Sequence, residues 1–348
     1  MKTKMTIISV LVTLALLSPL AEGQVFYRAP LAGFNPVTAS DAELAAYGIP
    51  PRPDQSQPAL YAHWVKMVTA PQTRLTNPSV QTTDIINGVA RGRQDRGMIA
   101  NAVSTTSDNW SGYAISTADG TFKKNNSLIF SEYTMPTIGV DNCSDKPYAM
   151  SEWVGIDGFD SDDVLQAGTV STPCGTAGTS YVAWYEWYEA GCTSSSASSP
   201  CYQTNVSLPV IPGDLIEVEV WYTTAAPKGH AYILNFTTGK SVSVGFNQPS
   251  GTATYEGNSA EWIVERPELG GALVDLANYL GAPMNFDYAY NGSYFYPSSS
   301  PSGTIYDITM TCPAWDPSSA CKKTTDLSTV DLYGKYALWF YDEGPAYP

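Results

Sequence analysis

Residues 214–223 read Asp-Leu-Ile-Glu-Val-Glu-Val-Trp-Tyr-Thr, with Ile216, Val218 and Val220 alternating against Glu217, Glu219 and Trp221. A period of two puts these sets on opposite faces of a strand, the pattern of a half-buried β-segment. The same texture recurs along the chain. Residues 127–136, 181–190, 260–267, 304–311 and 331–341 are rich in β-branched and aromatic residues. Residues 230–246 read as two strands around Thr237-Thr238-Gly239-Lys240, a hairpin signal. Frequent Gly, Pro and Ser turns separate these runs. Only residues 269–280, following Pro267, look helical within this part of the chain. The expected fold class is all-β, an antiparallel sandwich or barrel.

The first hundred residues differ. Lys2 and Lys4 precede the apolar run 7–17, and Ala21-Glu22-Gly23 offers small residues for cleavage, so residues 1–23 are expected to be a secretory signal peptide. The run is too short to span a bilayer, and the mature chain is expected to be secreted, without a membrane partner. Residues 24–105 hold a Pro-rich stretch at 49–53 and two helix-like pieces, 40–47 with Ser40 as cap and Glu43 three residues on, and 58–68. Residues 1–107 carry nine Lys/Arg against six Asp/Glu; residues 108–348 carry nine against twenty-seven. That asymmetry suggests a basic segment lying on an acidic partner, with Arg91, Arg93 and Arg96 facing its carboxylates. The expected organisation is an inhibitory pro-segment over 24–105, acting in cis, and a β-domain over 106–348. A flexible linker is the alternative for 24–105.

Six cysteines behind a signal peptide predict disulfides. Cys192 with Cys201 and Cys312 with Cys321 each enclose a Ser-rich or Pro/Ser loop, which leaves Cys143 with Cys174, although six cysteines allow fifteen pairings. No close C-x-x-C pair favours a metal site.

The available chemistry is narrow. The net charge of −15 argues against a nucleic-acid partner. The chain has two histidines, and His63 lies in the expected pro-segment, so His230 is alone in the β-domain. One imidazole is too few for common zinc sites, and no G-x-S-x-G elbow accompanies it. No phosphate loop or dinucleotide fingerprint follows a strand, and oxidised cysteines are not nucleophiles. Carboxylates, carboxamides and aromatics remain. Alternation puts Trp184, Glu186 and Tyr188 on one strand face, and Glu261, Ile263 and Glu265 on one face of another. An aromatic face with carboxylates suits a substrate groove; a solvated outer face is the bland alternative.

The motifs Asn-Trp-Ser-Gly-Tyr-Ala at 109–114, Trp-Val-Gly-Ile-Asp-Gly at 153–158, Leu-Gln-Ala-Gly at 165–168, Ala-Trp-Tyr-Glu-Trp-Tyr at 183–188, Gly-Asp-Leu-Ile-Glu-Val at 213–218 and Ala-Glu-Trp-Ile-Val-Glu at 260–265 resemble, in order, those of the glutamic peptidases, or eqolisins. The resemblance implies a lectin-like antiparallel sandwich and an acid endopeptidase made as a secreted precursor. It implies Gln166 and Glu265 as the catalytic pair, with Trp153, Asp157, Trp184, Glu186 and Tyr188 as supporting cleft residues. Glu265 would activate water as general base and Gln166 would donate to the oxyanion. Protein or peptide substrates, a monomer, and no metal or organic cofactor are expected. The chain departs from the family pattern in the spacing of Trp153 to Gln166 and at Arg266-Pro267. A lectin-like carbohydrate-binding module, or a glycosidase using Glu186 and Glu265, remain the alternatives.

Overall fold

In the computed structural model, residues 24–344 are described except 140–142, 144–146, 176–177, 193–195, 197–200, 250–252, 314–320 and 322–324. The expected signal peptide lies outside the described residues. Among the described residues the strands of six or more residues are β1 Gln94–Ile99, β2 Ala102–Ser107, β3 Trp110–Ser116, β4 Ser127–Thr134, β5 Tyr148–Ile156, β6 Asp163–Gly175, β7 Gly178–Glu189, β8 Leu215–Tyr222, β9 Gly229–Asn235, β10 Lys240–Phe246, β11 Ser259–Glu265, β12 Ala282–Tyr290, β13 Thr304–Thr311, β14 Asp326–Leu332 and β15 Ala337–Asp342.

They form two layers. The front layer runs β1-β2-β13-β3-β11-β5-β6-β7, antiparallel except for the parallel β2–β13 pair. The back layer runs β10-β9-β8-β4-β12-β15-β14. Pairing of β14 with β13 links the two. Between them lies the main core. It takes Val154, Leu165, Tyr185, Trp187 and Trp262 from the front layer and Ile129, Val218, Val220, Ile233 and Val244 from the back.

Alternation has the consequence expected of it. Ala183, Tyr185 and Trp187 enter the central core, whereas Val182, Trp184 and Tyr188 join Trp110, Trp153 and Ile263 in a second cluster on the outer face of the front layer. The outer face of the back layer is covered as well. Helices α1 (Asp41–Ala46) and α2 (Pro58–Thr69) lay Leu44, Leu60, Trp64 and Met67 on Phe130, Trp221, Tyr232 and Tyr288. Ser40 caps α1 with Glu43 in a capping box.

The hairpin at 235–240 forms with Asn235 opposite Lys240. The helix expected at 269–280 does not. Gly270 and Gly271 both adopt positive φ, 62° and 83°, and reverse the chain between Glu268–Leu269 and Ala272–Leu273. Asp275–Leu276 then pairs with Tyr148 and Ala149, and Asn278–Tyr279 with Ile138 and Gly139. Tertiary strand pairing overrides the local helical texture. The single strand expected over 331–341 is broken by a turn at Gly334 into β14 and β15. Disulfides join Cys143–Cys174, Cys192–Cys201 and Cys312–Cys321. Among the described residues no helix is long and apolar enough to cross a membrane.

Residues 24–105 contribute unevenly. Val25–Phe26 and Thr73–Arg74 pair with β10, and Val80–Thr82 pairs with the short strand Thr204–Val206 at the far side of β7. These are pieces of two or three residues on sheet borders. In contrast, β2 is flanked by β1 on one side and β13 on the other.

Both layers bury carboxylates. Glu152, Glu219, Glu261 and Asp287 are all held well above the usual carboxylate range, in each case chiefly by burial. Asp163 is pushed up to about 8 by burial and the charge of Asp157. The unfolded chain ionises these groups near pH 4. Above that pH the folded state holds more protons than the unfolded one, so stability falls with rising pH. The thermal midpoint of the full chain is therefore expected to be highest near pH 4 and to drop steadily towards pH 8, as a calorimetric series would measure.

Candidate active site

The candidate site lies on the outer face of the front layer, on four adjacent antiparallel strands, β11-β5-β6-β7. Register sets it: Gln166 on β6 lies opposite Glu186 on β7, and Ser151 on β5 lies opposite Glu265 on β11. Between those two levels sits Trp153, opposite Gly168 and Ile263. Gly168 has a local reason to be glycine. A Cβ there would collide with the Glu152 carbonyl oxygen and the Trp153 Cβ. Trp153 itself packs edge-on to Trp110, with ring centroids 4.9 Å apart and planes at 75°.

Gln166, Glu186 and Glu265 are all buried, at 0, 0 and 1% exposure. Glu265 accepts three hydrogen bonds. Oε2 receives Trp153 Nε1 at 2.9 Å; Oε1 receives Asn109 Nδ2 at 3.0 Å and the Gly88 backbone N–H at 3.2 Å. Burial raises its pKa well above the ordinary value, opposed by the donors Asn109, Trp153 and Gly88 and by the charge of Arg91. Burial also raises Glu186, whose Oε2 receives Asn87 N at 3.2 Å, Asn87 Nδ2 at 3.3 Å and Gln166 Nε2 at 3.3 Å; the charge of Glu265 raises it further. Gln166 Nε2 also donates to the Asn87 carbonyl oxygen.

The groups meeting Gln166 and Glu265 are thus the two ends of one peptide unit, the C=O of Asn87 and the N–H of Gly88. The segment that carries them crosses the cleft and is tied down along its length. Val89 O accepts from Asn109 Nδ2 at 3.1 Å, and Ala90 N donates to Gly158 O at 3.0 Å. Beyond it an open groove of about 740 Å³ continues between Val89, Arg93, Phe159, Asp160, Ser161 and Glu256.

The arginines act at the rim. Arg91 pairs with Glu268, Arg93 with Asp160 at 2.6 Å and over the Phe159 ring at 3.7 Å, and Arg96 with Asp326 at 3.9 Å. The expectation that they neutralise the central cleft carboxylates is met only at its edge. At the centre the segment uses neutral backbone and carboxamide groups. The rim pairs are partly exposed, and such pairs typically contribute only ~0–1 kcal/mol.

Trp153, Trp184 and Tyr188 all line the cleft, but Asp157 does not meet Gln166 or Glu265 through any described hydrogen bond. It ends β5 with a φ of 74° and receives Glu256 N, Gly257 N and Asn258 N at 2.9, 2.7 and 2.6 Å. Burial lifts its pKa to about 6 against those donors. Its work here is to fix the loop that leads into β11. His230 is structural: it stacks on Trp221 at 4.9 Å and meets Thr223 and Tyr27 hydroxyls, and burial lowers its pKa to about 4. Three residues of the site carry no role in the sequence-based expectation. Asn109 heads the motif at 109–114 and could have been suspected from it. Asn87 and Gln203 give no local signal, because only the fold brings Asn87 to Glu186 and Gln203 to the Asn87 side chain, whose Nδ2 donates to Gln203 Oε1 at 2.9 Å.

Replacing Asp157 by Ala removes the acceptor of three backbone N–H groups. It is expected to cost about 1–3 kcal/mol, measurable by denaturant unfolding. Activity, where folded, should fall less than for substitutions at Gln166 or Glu265.

Known proteins bear on this geometry. Residues 108–328 match the Peptidase A4 family. The chain is 31% identical over 232 residues to Aspergillopepsin-2 of Aspergillus niger, a stretch that covers 58% of this chain and 70% of that protein. Among solved structures it is similar to scytalido-glutamic peptidase with a transition state analog inhibitor, with a TM-score of 0.50 and 21% identity over 68% of this chain and 98% of that one. That likeness speaks to the fold.

Proposed function

The chain belongs to the Peptidase A4 family, the eqolisin glutamic peptidases, and we propose that it is an extracellular acid endopeptidase whose catalytic pair is Gln166 and Glu265. The observation that carries this reading is the single peptide unit held between them: Gln166 Nε2 on the carbonyl oxygen of Asn87, Glu265 Oε1 on the amide of Gly88. Hydrolysis needs a donor for the oxygen on which charge develops and a proton carrier near the nitrogen that leaves. These two side chains stand at those two atoms.

In the reaction Glu265, ionised, takes a proton from a water at the carbonyl carbon. Gln166 donates to the oxyanion of the tetrahedral intermediate, and Glu265 returns the proton to the leaving amine. A carboxamide suits the first role because it is neutral and keeps its donor at every pH. Trp153 and Asn109 hold Glu265 in place through Oε2 and Oε1. A carboxylate base works best near its own pKa, and the donors Asn109, Trp153 and Gly88 oppose the rise that burial imposes on Glu265, which favours an optimum on the acid side of neutrality. No step calls on a metal or organic cofactor.

Residues 24–105, which include the cleft-crossing segment, serve as an inhibitory pro-segment in cis. Supporting this, Asn87 and Gly88 occupy the atoms a substrate needs, and α1 and α2 cover the apolar outer face of the back layer. The three disulfides accord with an extracellular location.

Acid digestion of a denatured protein tests the pair. Gln166→Ala should lower kcat roughly 10²–10³-fold, the usual loss for an oxyanion donor. Glu265→Gln, nearly isosteric, should lower it by about 10²–10⁴ or more. Pepstatin should not inhibit. A fully active Gln166→Ala, or strong inhibition by pepstatin, would sink the assignment.

A further inference from the structure

Asn87 is the first residue of the peptide unit at the catalytic pair, and its side chain is fully buried. It enters a pocket that receives its NH₂ group, while its Oδ1 is buried without a hydrogen-bond partner. Nδ2 donates to Gln203 Oε1 at 2.9 Å and to Glu186 Oε2 at 3.3 Å. Gln203 is itself oriented, because its Nε2 donates to Asn205 Oδ1 at 2.6 Å. That bond turns the Gln203 oxygen, an acceptor, towards Asn87. Two acceptors converge on one NH₂ group, and both are buried.

The next position is different. A Cβ on Gly88 would meet nothing nearer than Ile86 Cγ2 at 3.8 Å, with Arg91 Nη2 and Tyr188 Cζ at 3.9 Å. The site therefore selects on the acyl side of the bond and tolerates small side chains on the amine side.

Resting on the peptidase reading above, we propose that Gln203 and Glu186 make this enzyme selective for asparagine on the acyl side of the cleaved bond, and that the first bond cut is its own Asn87–Gly88. One water is consumed. Its oxygen bonds to the Asn87 carbonyl carbon, the C–N bond breaks, and the proton taken by Glu265 passes to the Gly88 nitrogen. The products are a carboxyl group on Asn87 and a free amine on Gly88.

The fold suits a cut there. Upstream of Asn87 the chain contributes only the border pieces Val25–Phe26, Thr73–Arg74 and Val80–Thr82 to the main sheets, with a two-residue pairing at Ile85–Ile86. Downstream, β1 and β2 remain woven between β13 and the sheet border. The boundary of the removable segment then falls at 87 rather than 105.

A leucine shares the branched shape of asparagine but offers no donor to Gln203 Oε1, while Glu186 Oε2 keeps only the Asn87 backbone N–H and Gln166, and an aspartate sets a carboxyl against Glu186. A site built around hydrogen bonds rejects analogues that lack them. The secreted full chain is shifted to acid and its new N-terminus sequenced. Wild type should yield Gly88; Glu265→Gln, which controls for non-enzymatic cleavage, should not; Asn87→Leu should be cut at this bond roughly 10–100-fold more slowly. With the acid-activated wild-type enzyme, short peptides carrying Asn-Ala should exceed matched Leu-Ala and Asp-Ala peptides in kcat/KM by a similar factor. Gln203→Leu should shrink that Asn-over-Leu ratio about tenfold or more. Processing only at another bond, together with equal kcat/KM for the three peptides, overturns the proposal. If acid digestion by wild type is itself absent, the peptidase reading fails; if digestion proceeds without Gly88 or an asparagine preference, only this inference fails.

Discussion

Glu265 is a carboxylate buried on a sheet face, and the arrangement of the front layer follows from making that tolerable. Burying an acid without partners is costly. Here its two oxygens receive three N–H donors, from Trp153, Asn109 and the backbone of Gly88. Each donor requires its own support. Trp153 needs the space that Gly168 leaves, and Asn109 is fixed by Ser107 Oγ and the Arg91 amide on its Oδ1. The third donor belongs to a segment that crosses the cleft. Two donors come from the sheet; the third is the Gly88 amide of the crossing segment.

This explains why the segment grips the centre of the cleft with neutral groups and its rim with charges. A buried guanidinium beside Glu265 would hold the carboxylate in an ion pair and keep its pKa low. Backbone amides and a carboxamide satisfy the same oxygens and only partly offset the rise that burial imposes on the carboxyl. The exposed rim at Glu268 and Asp160 can accept Arg91 and Arg93 at little desolvation cost. Acid conditions favour this covered state of the buried carboxylates, so loss of the rim ion pairs alone is a weak means of opening the cleft. Cutting the segment is a stronger one.

The back layer has a different relation to its cover. There α2 brings His63 within 3.4 Å of Glu217 and 3.9 Å of Glu132, on the face opposite the cleft. The helices shield apolar aromatics and acids from water without reaching the strands that carry Gln166 and Glu265. The two halves of the N-terminal region thus act on the two outer faces of one sandwich, connected only by the strand pieces along its borders.

Much of this was legible in the chain itself. Period-two alternation fixed which residues of β7 face the core and which face the cleft, because a strand has no other way to place neighbouring side chains. The motifs singled out Gln166, Glu186 and Glu265, and the loop-enclosing spacings of the cysteines anticipated the three bridges. What local pattern could not decide was set by long-range pairing. Residues 269–280 form short strand pieces because they pair with Tyr148, Ala149, Ile138 and Gly139 and because Gly270-Gly271 reverses the chain. Asn87 and Gln203 are 116 residues apart, and no local period links them. Their meeting depends on one strand register and on a segment laid across it, which only the folded chain can specify.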